Sequence, residues 1–67
     1  MLYKIKLADK YISNYNISNS LLEVTDNIAD AKVIDLDLSD IEHYRRLKLL
    51  FINHGYKLGN VQFINII

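Results

Sequence analysis

The chain has 67 residues and a mass of 7.8 kDa, room for a single domain over residues 1–67 and not for separate catalytic and binding units. Eight Lys plus Arg balance eight Asp plus Glu, 51% of the residues are apolar, and Cys, Pro and Trp are absent. This composition excludes a disordered chain, a disulfide scaffold, thiol catalysis and a cysteine zinc site.

Tyr3, Ile5 and Leu7 alternate with Lys4 and Lys6, the period-two pattern of a half-buried strand. Ala8-Asp9-Lys10 reads as a turn, and Tyr11 to Ile17 as a second strand with Tyr11, Ser13, Tyr15 and Ile17 on one face. Ser18-Asn19-Ser20 breaks the pattern, and Leu21 to Thr25 forms a third strand, giving a three-stranded meander. Thr25-Asp26 is placed to cap a single helical turn over Asn27 to Ala31, and Val33-Ile34 reads equally as a strand or a buried connector.

Two caps compete for the main helix. Asp37 puts Leu36 and Ile41 at the positions of a hydrophobic staple, whereas Ser39 forms a capping box with Glu42. Either helix runs to about His54 and stops at Gly55, where the left-handed conformation favours glycine. Tyr56 to Ile67 is either a hairpin through Gly59-Asn60 or one final strand, the simpler reading. Val61, Phe63 and Ile67 share one face of that strand and Ile64 and Ile66 the other. Both faces are mostly apolar, which predicts a central or partner-covered strand docked at its end. The predicted fold is α+β: an antiparallel sheet of four or five strands with one main helix packed on one face.

On the helix, 100° per residue gathers Tyr44, Leu47, Leu50 and Phe51 on the core side, flanked by His54. Ile41 and Ile52 lie about 100° away, near Lys48, and Leu49 falls among Glu42, Arg45, Arg46 and Asn53. Leu49 and Ile52 therefore form either ordinary exposed apolar residues or a small patch for a partner or a second copy. So short a chain has little interior of its own, and a homodimer that completes the core is one expectation.

The zero net charge hides a strong segregation. Residues 1–22 carry +2, residues 23–42 carry −6, and residues 43–67 carry +4. Helix starts explain acids at Asp37, Asp40 and Glu42, but less readily those at Glu23, Asp26, Asp30 and Asp35. Together the seven carboxylates are a candidate acidic face for a basic groove on another protein, with Leu49 and Ile52 as an apolar anchor. Lys4, Lys6, Tyr11 and Tyr15 suggest a basic aromatic sheet surface for nucleic acid, joined by Arg45-Arg46-Lys48. This reading fits less well, because nucleic-acid-binding domains usually carry net positive charge.

Catalytic and metal chemistry find little footing. His43 and His54 lie roughly 16 Å apart along one helix and do not share a metal. Asp35 to Asp40 begins like a calcium loop but has Asp40 at the required glycine and Arg46 at the closing glutamate. Two glycines build no phosphate-cradling loop, and no serine stands in a nucleophile elbow. Neither enzyme activity nor a cofactor is expected. The longest apolar run, Leu49 to Ile52, is four residues, too short for a membrane span, and Met1 to Lys6 lacks a signal-peptide core. A cytoplasmic location is expected.

Over nearly its whole length the chain resembles small accessory proteins of phages and prophages of low-GC Gram-positive bacteria. The resemblance lies in the early strand into Lys10-Tyr11-Ile12, in Thr25-Asp26-Asn27-Ile28-Ala29-Asp30-Ala31, and in the helix continuing to Gly55-Tyr56-Lys57-Leu58-Gly59-Asn60-Val61. It implies a protein of the bacterial host cytoplasm that binds and inhibits a host or defence protein, such as a CRISPR nuclease. It brings no catalytic or binding residues with it.

Overall fold

The N-terminal alternation produces the strand on which the rest of the fold is assembled. In a computed structural model, which describes residues 1–66, this strand, β1 (Leu2–Leu7), buries Tyr3, Ile5 and Leu7 on one face. The chain reverses through Ala8 and Asp9 into β2 (Lys10–Asn16), pairing Leu7 with Lys10, and β3 (Leu21–Thr25) pairs antiparallel with β2 as the meander requires.

The two faces of β2 do not follow strict alternation. A register shift between Ile12 and Asn14 marks a bulge at Ser13. Tyr11, beside Lys6, lies on the face away from the core, while Ile12, Tyr15 and Ile17 pack toward it. The expected common face of Tyr11 and Tyr15 is thereby corrected, because an extra residue in a strand inverts every side chain beyond it.

Past the bulge β2 diverges from β1, and the returning chain fills the gap. A 3-10 turn (Ile28–Asp30) leads into β4 (Ile34–Asp35). Lys32 N–H donates to the Ile12 carbonyl at 2.9 Å, and β4 pairs with β1 at Leu2 and Tyr3. Val33-Ile34 is thus resolved as the approach to a two-residue strand. The cap of the 3-10 turn is Asn27, whose Oδ1 accepts from Ala29 N–H, rather than Asp26. Thr25 Oγ1 instead accepts the N–H of Asn27.

Helix α1 (Ile41–Asn53) starts from neither predicted cap. Asp37 Oδ1 accepts both the N–H and the hydroxyl of Ser39, a local turn that occupies both residues. Asp40 caps the helix instead, accepting from His43 N–H at 3.2 Å. The staple does not form: Leu36 is buried, whereas Ile41 is 70% exposed. The far end is as expected. Gly55 adopts φ +88°, Gly55 N–H donates to Ile52 C=O and Tyr56 N–H to Phe51 C=O, the paired bonds of a Schellman motif.

A second 3-10 turn (Leu58–Asn60) precedes β5 (Val61–Asn65), a single strand rather than half of a hairpin. Its position corrects the expectation of a central strand: among the described residues β5 pairs with β1 alone and is an edge, while β1 is central. Ile67, placed by the sequence on the Val61 face, lies outside the described residues. Ile66 N–H is bonded to Leu2 C=O at 2.8 Å.

The result is the α+β fold expected, a five-stranded antiparallel sheet with α1 on one face. Leu47, Leu50 and Phe51 of the helix meet Tyr3, Ile5, Leu7, Ile12, Ile34 and Leu36 to form the core. The accessible surface, 4368 Å², matches the roughly 4,400 Å² of a folded monomer of this mass.

Candidate functional site

All seven acidic residues of the 23–42 segment are exposed, and they divide into two kinds. Three are compensated by cations. Asp26 pairs with Lys10, Asp35 Oδ1 with the amino terminus at 3.1 Å, and Glu42 with Arg46 at 3.4 Å and Arg45 at 4.0 Å. The other four form no ion pair among the described residues, although the amino terminus held by Asp35 also acts on Asp37 through its charge. Glu23 accepts from the Asn14 amide, Asp37 from Ser39, and Asp40 from a backbone N–H, all neutral donors, while Asp30 has no such bond. A neutral donor fixes a carboxylate in place but leaves its charge intact, so Glu23, Asp30, Asp37 and Asp40 retain an outward negative field.

The elements sort these groups spatially. Glu23 and Asp26 belong to β3 and its end, separated by β2 from β4 and β1. Asp35, Asp37, Asp40 and Glu42 follow one another through β4 and the entry to α1, where Asp40 N–H bonds to Asp37 C=O at 3.0 Å. The most closely grouped anionic stretch is therefore the β4–α1 connection.

Ser39 holds the Asp37 carboxyl below its ordinary value of 3.8, its hydroxyl contributing most and its N–H next. Lys10 is held above its ordinary 10.5 first by its hydrogen bond to Asp26 and then by that carboxylate's charge. Burial raises the Tyr15 hydroxyl, in keeping with its inward face.

Leu49 and Ile52 are 51% and 48% exposed on the outer side of α1. Leu49 stands two helical turns from Glu42 on nearly the same face, about 10 Å along the axis. Ile41, outside the candidate set, is more exposed than either, and the wheel that places it beside Ile52 was the available signal. Between α1 and the β2–β3 turn lies a depression of about 180 Å³ lined by Ile17, Ser20, Arg46, Leu49, Leu50 and Asn53. Small-molecule sites usually occupy about 300–1,000 Å³.

The basic residues do not form one surface. Lys6 lies over the Tyr11 ring and Lys4 Nζ donates to Ile28 C=O at 2.8 Å on the sheet face away from α1. Arg45 and Arg46 engage Glu42, and Lys48 covers Tyr44, on the helix. With Tyr15 turned toward the core, the four-residue stacking platform is not assembled. No cluster of three or more His, Cys, Asp or Glu suited to a metal occurs among the described residues, and none of their helices is long and apolar enough to cross a membrane.

Compared with known proteins, the chain matches no family model, no curated protein and no solved structure.

Proposed function

We propose that this protein is a stoichiometric binding protein of the bacterial host cytoplasm that blocks a host or defence protein by docking on its basic groove. The observation that carries this reading is the exposure of Glu23, Asp30, Asp37 and Asp40, none of which forms an ion pair among the described residues. Uncompensated carboxylates attract a basic surface over roughly 8 Å at physiological salt and speed encounter with it. Leu49 and Ile52, and Ile41 with them, offer apolar area for short-range contact.

The test captures partners from host lysate on the immobilised protein and repeats the capture with Asp30→Lys and Asp37→Lys together. Loss of a captured protein with an unchanged circular-dichroism spectrum supports the acidic docking surface; equal capture by both forms rejects it. Capture of nucleic acid alone, lost steeply as salt rises, would favour the second reading, a nucleic-acid-binding or regulatory protein acting through its basic residues.

A further inference from the structure

Two edge strands of the sheet, β3 and β5, differ in character. β3 carries Glu23 at its middle and pairs across the bulge at Ser13, both features that discourage pairing with a foreign strand. β5 has no such guard: residues 61–67 include no charged side chain and no proline.

Hydrogen bonds to β1 fix which backbone groups of β5 face outward. Ala8 N–H donates to Asn60 C=O at 3.0 Å, and Ile66 N–H to Leu2 C=O at 2.8 Å. Even-numbered residues thus turn their amides and carbonyls toward β1, and Phe63, between Gln62 and Ile64, turns its own away. Val61 N–H is satisfied by Leu58 C=O. The N–H and C=O of Phe63, at the centre of the strand, point away from the sheet.

A mostly apolar overhang, crossed by Lys48 where it covers Tyr44, accompanies this edge. The Phe63 ring lies 5.7 Å from that of Tyr44, so the Tyr44 flank of α1 stands above β5. About 60° and 80° further round that flank come Ile41 and Ile52, 70% and 48% exposed. Val61, Phe63, Ile64 and Ile66 are only half-buried, leaving apolar surface on both faces of the strand.

We propose that β5 pairs with β5 of a second copy, antiparallel about a two-fold axis through Phe63. This arrangement lets the two Phe63 residues exchange both backbone hydrogen bonds and sets their rings side by side. A strand without charged side chains meets its own copy without like-charge repulsion, and the two-fold gives a closed dimer rather than a fibre. The sheets join into one, and the Ile41–Ile52 flanks approach each other. β5 and the Tyr44 flank carry none of the acidic residues, so the charge reversals that test docking leave this pairing untouched and the Phe63 test leaves the acidic residues untouched, although Ile41 and Ile52 belong to both surfaces.

Sedimentation equilibrium of the full chain over rising concentration is the test. The mass should climb from 7.8 kDa toward twice that value as the concentration rises to about 1 mM. The Phe63 amide should become protected from hydrogen exchange in parallel. Backbone N-methylation of Phe63 in synthetic protein removes the outward donor without touching the β1 ladder. It should weaken dimerisation by about 100-fold or more while the folded spectrum persists. A monomeric mass throughout this range overturns the proposal. So does a dimer in which Phe63 remains unprotected, or one indifferent to the N-methyl group.

Discussion

His54 Nε2 lies 2.8 Å from the carbonyl oxygen of Ser20. A carbonyl only accepts, so the imidazole carries its proton on Nε2 in this contact. The bond ties the C-terminal end of α1 to the β2–β3 turn, two elements 34 residues apart in sequence. His54→Ala should cost about 1 kcal/mol, the usual net worth of one such bond, read as a lower urea midpoint with an unchanged slope. An unaltered midpoint would mean that the contact adds nothing to stability.

Ala8 is held at φ +59° while Asp9 shows no positive φ, the sign pattern of a type II′ hairpin in which glycine is preferred at the first central position. A side chain in this region costs about 1 kcal/mol. Ala8→Gly should therefore raise stability by up to about 1 kcal/mol, visible as a thermal midpoint several degrees higher. The same substitution in an ordinary strand position lowers stability, so the sign of the change is diagnostic.

Much of this architecture was legible beforehand because it rests on local, repetitive signals. Alternation at Tyr3, Ile5 and Leu7 identified β1, helical spacing of Leu47, Leu50 and Phe51 identified the buried side of α1, and Gly55 its end. The failures arose where one residue had several uses. Asp37, Ser39 and Asp40 are all good caps, and the choice fell to Asp40 because Asp37 and Ser39 satisfy each other. The bulge at Ser13 has no signature of its own, since it is created by how β2 fits against β3. The edge position of β5 was hidden because apolar residues on both faces read alike for a central strand and an uncovered one. For the candidate site, the sequence located the negative charge but could not show which carboxylates meet Lys10, the amino terminus, Arg45 or Arg46, contacts set largely by tertiary placement.

The Asp37–Ser39 turn makes a sharp pH prediction. Ser39 donates two hydrogen bonds to the ionised carboxyl, so the folded state holds its proton more weakly than the unfolded chain. The resulting stability is fully present above the ordinary value of 3.8 and disappears as pH falls through the depressed folded value. Carbon-detected NMR titration should find Asp37 ionising below 3.8, and Ser39→Ala should move it back toward that value. A titration identical in both proteins would show that Ser39 has no hold on the carboxylate.

Asp40 separates capping from electrostatic docking, two roles that a charge reversal confounds. Lysine at this position removes both the cap and the negative charge, so lost binding could follow from a frayed helix. Asparagine keeps an oxygen able to accept from His43 N–H and is as good a cap as aspartate. It removes only the charge and a modest interaction with the helix dipole, worth about 0.3–1 kcal/mol. Asp40→Asn should therefore cost less than about 1 kcal/mol in denaturant melts, whereas Asp40→Ala should lose about 1 kcal/mol or more. Against a captured basic partner, Asp40→Asn should slow association and flatten its dependence on salt, because a rim charge acts mainly on encounter. If association rate and salt dependence stay at the parent values while Asp40→Ala is destabilised, the carboxylate serves the helix alone. Docking through this end of the acidic segment would then be rejected.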